Sequence, residues 1–200
     1  MKAIEIIKEY AQDNNVPIMM DDGINYICNL IIKSNYKTIL ECGSAIGYSA
    51  IKMASINKEI SIDTIEIKSD LAKIAVNNVE KSNLSSQIKV FNCDAMDFKS
   101  EKLYDLIFID AAKAQYKRYM EKFMKNLADD GVFIFDNMEF HGIVNNPSLS
   151  KSRNTLQLVK KIKKFRDYLL SSDDINCDYF PEIGDGIAVV RVKSKKNKFK

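Results

Sequence analysis

A chain of 200 residues, 46% of them apolar, is long enough for one domain with a real core. No stretch nears the roughly 20 uninterrupted apolar residues of a membrane helix, and the N-terminal MKAIEIIKEYAQDNN has no signal-peptide core, so a cytoplasmic protein is expected. Net charge is only +3, the four cysteines (Cys28, Cys42, Cys93, Cys177) form no CxxC pair, and the single histidine, His141, excludes a site built on several imidazoles.

Ile4, Ile7 and Ala11, then Ile24, Ile27 and Ile31, recur at helical spacing and predict helices over 3–14 and 22–34, separated by Pro17. Apolar runs ending in an acid or a turn residue then alternate with helical patterns. The runs are KTILE, ISIDTIE, IKVFNCD, YDLIFID and GVFIFD, and the helical patterns cover 48–57, 69–82, 114–128 and 152–171. Short strands separated by helices imply right-handed βαβ units and a mostly parallel sheet. INCDYF and GIAVVRV follow, joined through Pro181, Gly184 and Gly186 with no room for a crossover helix, so they form an antiparallel hairpin at the sheet edge. The expectation is an α/β fold with a mostly parallel seven-stranded sheet and helices on both faces. This pattern resembles the Rossmann-like layout of S-adenosylmethionine-dependent methyltransferases more than that of a dinucleotide dehydrogenase. No repeat or low-complexity linker divides the chain. One domain is read, with leading helices and a lid over 1–35, a core over 36–192 and a basic tail over 193–200.

The first strand runs into Glu41-Cys42-Gly43-Ser44-Ala45-Ile46-Gly47, and a helix opens at Tyr48-Ser49. Ligands on such sheets sit beyond the carboxyl ends of the strands. Gly43 and Gly47 let the backbone turn tightly and approach a ligand without a Cβ. The ExGxxxG spacing is not GxGxxG, so a pyrophosphate has no cradle here. The loop suits an uncharged nucleoside carrying an amino-acid moiety, which S-adenosylmethionine has. Glu66 ends the second strand about 20 residues further on, where an acid binds ribose hydroxyls. Asp94 follows the third strand, placed to accept from an adenine amino group. One strand-end acid alone would be read as a turn or cap residue; Glu41, Glu66 and Asp94 end three successive parallel strands.

The fourth strand ends in Asp110-Ala111-Ala112-Lys113 and the fifth in Asp136-Asn137. Two carboxylates and an amide oxygen on one rim are hard donors suited to magnesium or a similar divalent cation that keeps positions for water and substrate. Taken singly, Asp136-Asn137 would turn the chain and Asp110 would cap the next helix. Lys113 lies one helical turn beyond Asp110, at a helix start where positive charge is unfavourable. Beside a dication its ammonium form would be disfavoured, which makes it a candidate base for a hydroxyl proton.

ILECGSAIGYSAIKMA, FIDAAKAQY and FDNMEFHG resemble the cation-dependent O-methyltransferases, the family of catechol and caffeoyl-CoA O-methyltransferases, from about Val16 to Val192. That resemblance implies metal ligands at Asp110, Asp136 and Asn137, with Lys113 as catalytic lysine. It implies cofactor contacts at Glu41, Gly43, Ser49, Glu66, Asp94, Ala95 and Asp110, and a lid at Val16-Pro17-Ile18-Met19, with Met19 over the cofactor. A homodimer is also implied. Within the family, VPIM, IDAAKAQY and RNTLQLVKKIKKF look most like the bacterial tRNA 5-hydroxyuridine methyltransferases. The substrate so implied is wobble 5-hydroxyuridine in a tRNA anticodon loop, methylated to 5-methoxyuridine. The alternative is a catechol-like or caffeoyl-CoA-like phenol, although the chain lacks the tryptophans that line the pocket of catechol enzymes. Either acceptor offers the cation two neighbouring oxygens. The run from Lys151 to Arg166 holds seven basic residues and no acid, and it can track phosphates or form a solvated helix face. A non-catalytic RNA-binding protein on this fold would be expected to lack some of Asp110, Lys113, Asp136 and Asn137, and all four are present.

Overall fold

The computed structural model describes residues 2–193. Lys195, Lys196, Lys198 and Lys200 of the basic tail lie outside them. The chain opens with two helices, α1 (Lys2–Asp13) and α2 (Asp21–Ser34). Strands and helices then alternate through β1 (Thr38–Cys42), α3 (Tyr48–Ala54), β2 (Ser61–Glu66), α4 (Ser69–Lys81), β3 (Ile88–Asn92), β4 (Tyr104–Ile109), α5 (Tyr116–Phe123) and β5 (Leu127–Phe135). The chain ends with α6 (Arg153–Ser171), β6 (Ile175–Phe180) and β7 (Ile187–Val192).

The seven strands form one sheet in the order β3-β2-β1-β4-β5-β7-β6. Strands β1 to β5 are parallel, and β7 runs antiparallel to both β5 and β6, as the missing crossover requires. Both faces are covered. Leu106 and Phe108 pack with Ile24, Ile27 and Ile51 of α2 and α3, whereas Ile107 and Ile109 pack with Tyr116, Phe123 and Phe165 of α5 and α6. A strand buried on both faces reads as the unbroken apolar run seen in LIFI. Each such side chain, fully buried, contributes about 1.5–3 kcal/mol. Between β1 and β4 the strand order reverses, opening a crevice at their carboxyl ends where ligands bind on such sheets. No described helix is long and apolar enough to cross a membrane.

The predicted helix over 114–128 is wrong at both ends. Lys113–Gln115 and Met124–Asn126 are 3-10 turns, and β5 begins at Leu127, four residues before GVFIFD. Asp129-Asp130-Gly131 looks like a loop, but it lies inside the strand at a register irregularity opposite Tyr104–Leu106. Gly131 is needed there, because a Cβ would stand 2.9 Å from the Tyr104 carbonyl oxygen.

Candidate active site

The glycine loop is built by the sheet itself. Gly43 has φ +100°, and a Cβ on it would lie 2.1 Å from the carbonyl oxygen of Asp110. The close approach that demands glycine here is to the backbone just beyond β4. Gly43 and Ser44 donate their N–H groups to the Ile65 carbonyl, and Asp110 donates to Cys42, so the ends of β1, β2 and β4 are tied together. Glu66 braces the same loop, one carboxylate oxygen accepting from Ala45 N–H at 2.9 Å and the other from Lys68 N–H at 2.8 Å.

Two adjoining cavities share Gly43, Glu66 and Asp110 in their walls. The one toward β3, about 330 Å³, is lined by Asp94, Ala95, Leu71 and Tyr119, among others. Asp94 keeps one oxygen on the Met96 N–H at 2.8 Å, which holds its carboxylate in place at the wall. The cavity toward β5, about 350 Å³, is lined by Met19, Lys113, Asp136 and Asn137. Every predicted site residue therefore lines this trough except two. Glu41 is wholly buried, and its carboxylate takes the hydroxyls of Ser49, at 2.5 Å, and Thr64. Burial pushes the Glu41 carboxyl up to about 7, against those hydrogen bonds. Glu41 and Ser49 stand behind the wall and satisfy each other.

At the other end Asp110 and Asp136 converge. Asp136 is 3% exposed, and its Oδ1 is buried with no hydrogen-bond partner. Its carboxyl is pushed up to about 7, first by burial and then by the Asp110 charge. Burial also raises Asp110, opposed by Lys113, whose Nζ stands 3.5 Å from Asp110 Oδ1. Two carboxylates facing each other over an unpartnered oxygen are unfavourable alone and favourable around a cation. The described residues hold no group of three His, Cys, Asp or Glu side chains able to bind a metal. The third protein oxygen on this rim is the amide of Asn137, and the donor set of two carboxylates and an amide fits a hard divalent cation. Tyr116, buried beneath, donates its hydroxyl to the Asp136 carbonyl at 2.7 Å and fixes the strand end.

Pro17, Ile18 and Met19 of the expected lid form an apolar roof, joined by Met20, while Phe140, His141 and Asp185, which sequence reasoning missed, close the opposite side. The roof is fastened through the start of α2: Tyr48 donates its hydroxyl to Asp21 and Gly184 donates its N–H to Asp22, each at 2.9 Å. Asn137, Phe140, His141 and Gly142 all have positive φ. Such conformations cost of order 1–3 kcal/mol each in non-glycine residues, and surrounding bonds must hold them. A buried network supplies that hold. Arg166 reaches Glu139 at 2.6 Å and Asn145 at 2.9 Å, and Tyr179 and Asn145 also donate to Glu139. This takes Arg166 out of the basic run, whose other members, Lys151, Arg153, Lys160, Lys161, Lys163 and Lys164, are exposed. The only legible hint of Asp185 was its place between two glycines, which reads simply as a turn.

The family model described as O-methyltransferase matches residues 2–193. A caffeoyl-CoA O-methyltransferase of Populus kitakamiensis is 25% identical over 193 residues, 92% of this chain and 81% of its own. The crystal structure of a Staphylococcus aureus protein assigned as a caffeoyl-CoA O-methyltransferase superposes with a TM-score of 0.90 at 35% identity, covering 94% of this chain and 91% of that one. An O-methyltransferase from Bacillus cereus, in complex with SAH, shares the fold with a TM-score of 0.82 at 24% identity, over 96% and 91% of the two chains.

Proposed function

The chain belongs to the O-methyltransferase family, and on that premise we propose that it moves a methyl group from S-adenosylmethionine to one of two adjacent oxygens on a small phenolic acceptor. In this reading Asp110, Asp136 and Asn137 hold a divalent cation. The observation that carries it is the meeting of Asp110, Asp136, Asn137 and Lys113 on one cavity wall, with a buried Asp136 oxygen lacking any partner. When bound, the cofactor supplies an electrophilic methyl group and the cation supplies a Lewis acid that acidifies a hydroxyl and fixes its orientation.

The protein's own groups do the rest. Asp94 and Glu66 receive the nucleoside in the cavity toward β3, which leaves the methyl end directed at the cavity toward β5. Lys113 takes the proton of the reacting hydroxyl, at a position one ion-pair distance from Asp110. Pro17, Ile18, Met19 and Met20 exclude water from the acceptor, and Phe140 gives an aromatic ring a face to lie against. Glu41 and Ser49 act from behind the glycine loop, holding its shape. A homodimer in the cytoplasm belongs to the same proposal.

The small-phenol acceptor is favoured by the names of the relatives. A second reading, 5-hydroxyuridine in tRNA, draws on one observation. Arg153, Lys160 and Lys164 are exposed on α6 and share the face opposite its buried stripe of Val159, Ile162 and Leu169. The deciding experiment offers S-adenosylmethionine, Mg²⁺, a panel of vicinal diphenols, and tRNA carrying 5-hydroxyuridine, with mass spectrometry of the products. The proposal expects a mono-methylated phenol, formed equally well by the Lys160→Glu/Lys164→Glu variant. Methylated tRNA from the wild type alone, with unmodified phenols throughout, would replace it with the second reading.

A further inference from the structure

Asp185 sits in the β6–β7 turn between Gly184 (φ +58°) and Gly186 (φ +86°), and it is 7% exposed. It is not one of the three expected cation ligands, yet the loop that carries one of them is pinned on it. Its Oδ1 accepts the His141 N–H at 2.6 Å. Its carbonyl accepts the Glu139 N–H at 2.8 Å, and the next carbonyl, of Gly186, accepts the Met138 N–H at 2.9 Å. Gly186 leaves room for this: a Cβ there would stand 2.8 Å from Glu139 N. The remaining oxygen, Oδ2, lies 3.4 Å from the side-chain Nδ2 of Asn137.

That last contact has a chemical consequence. An amide has one end that donates and one that accepts, and a cation can use only the oxygen. Were Asn137 turned over, its oxygen would face a carboxylate with no proton between them, and its NH₂ would face the cavity. We infer that Asp185 is the positioning residue that aims the Asn137 amide, holding the NH₂ on its own side of the cavity wall and presenting the oxygen to Asp110 and Asp136. This rests on the cation reading above. The backbone bonds place the loop; Oδ2 selects which end of one side chain enters the site. Partners behind a ligand that orient it in this way commonly change metal affinity by about 10–100-fold when removed.

The test is a double-mutant cycle read by Mn²⁺ binding, using electron paramagnetic resonance on wild type, Asp185→Asn, Asn137→Asp and the double variant. The Asp185→Asn side chain keeps an oxygen for His141 but sets NH₂ against NH₂ at Asn137. Mn²⁺ affinity in that background should fall by about tenfold or more. In the Asn137→Asp background the preference inverts, because a carboxylate at that position wants a donor behind it; there Asp185→Asn should tighten binding. The sign reversal is what a purely structural role cannot produce, since that would weaken both backgrounds alike. S-adenosylmethionine affinity, measured on all four, should stay within a few fold and reports the fold. Equal losses in both backgrounds, or no loss in either, would overturn the inference while leaving the cation reading intact. Wild type that binds no Mn²⁺ would overturn the cation reading, and this inference with it.

Discussion

Replacing Arg166 by Met tests the claim that the strained rim of the site is held by a buried ion pair. Arg166 and Glu139 are 9% and 8% exposed, and their charged atoms approach to 2.6 Å. Methionine fills much of the same stem volume, so the main loss is the charge partner. It leaves the Glu139 carboxylate buried with only Tyr179 and Asn145 as donors. Stranding one member of a buried pair costs about 3–5 kcal/mol. At roughly 2–4 °C per kcal/mol for a domain of this size, Tm should fall by about 6–20 °C. Adding Glu139→Gln removes the stranded charge and should recover most of the loss. Lys160→Ala, at an exposed position of the same helix, should move stability by no more than about 0.5 kcal/mol. Far-UV circular dichroism through urea and thermal unfolding is the assay, as the chain has no tryptophan. A loss below about 1 kcal/mol for Arg166→Met, or a double variant less stable than the single one, would refute the reasoning.

Lys113→Ala should lower turnover by about 10²-fold or more with little change in acceptor KM, read by steady-state kinetics; a normal rate at all pH values would remove Lys113 from proton transfer. The metal-free protein should lose stability as pH rises. Asp136, raised from 3.8 to about 7 in the folded state, keeps a proton there that the unfolded chain gives up. Its stabilising contribution is fully present below about 4 and lost as pH climbs through about 7. Urea midpoints across pH 4–8 check this, and in Asp136→Asn the slope should flatten. For the same reason apparent Mn²⁺ affinity should rise with pH up to about 7, since the cation must displace that proton.

The parts of the site legible in the sequence are those that a strand end delivers. Glu66, Asp94, Asp110 and Asp136 each follow an apolar run, and the fold turns such positions into a common rim whatever the loops do. The parallel strands and the closing hairpin were legible because strand spacing decides whether a crossover helix fits, whereas the order of the strands in the sheet was not read. Positions set by contacts across the fold were not legible. Gly43 reads as ligand clearance, and its clearance for the Asp110 carbonyl is visible only in the fold. Arg166 reads as one more surface cation of a basic run, and its burial depends on Glu139, twenty-seven residues away. That Glu41 and Ser49 bond to each other, as their places on β1 and α3 allow, was not legible either. Asp185 and His141 escaped because they reach the site through a turn and a run of left-handed residues, for which periodicity carries no signal.

In the proposed function, one cavity binds the cofactor while a separate set of oxygens just beyond β4 and β5 binds the cation that activates the acceptor. The most direct test measures, on one preparation, S-adenosylmethionine binding by calorimetry and methyl transfer to a vicinal diphenol, before and after EDTA and again after Mg²⁺ is restored. The account predicts cofactor affinity unchanged within a few fold throughout, transfer abolished by EDTA and restored by Mg²⁺, and no restoration in Asp136→Ala. Transfer that persists in EDTA, or cofactor binding that vanishes with the cation, would contradict it.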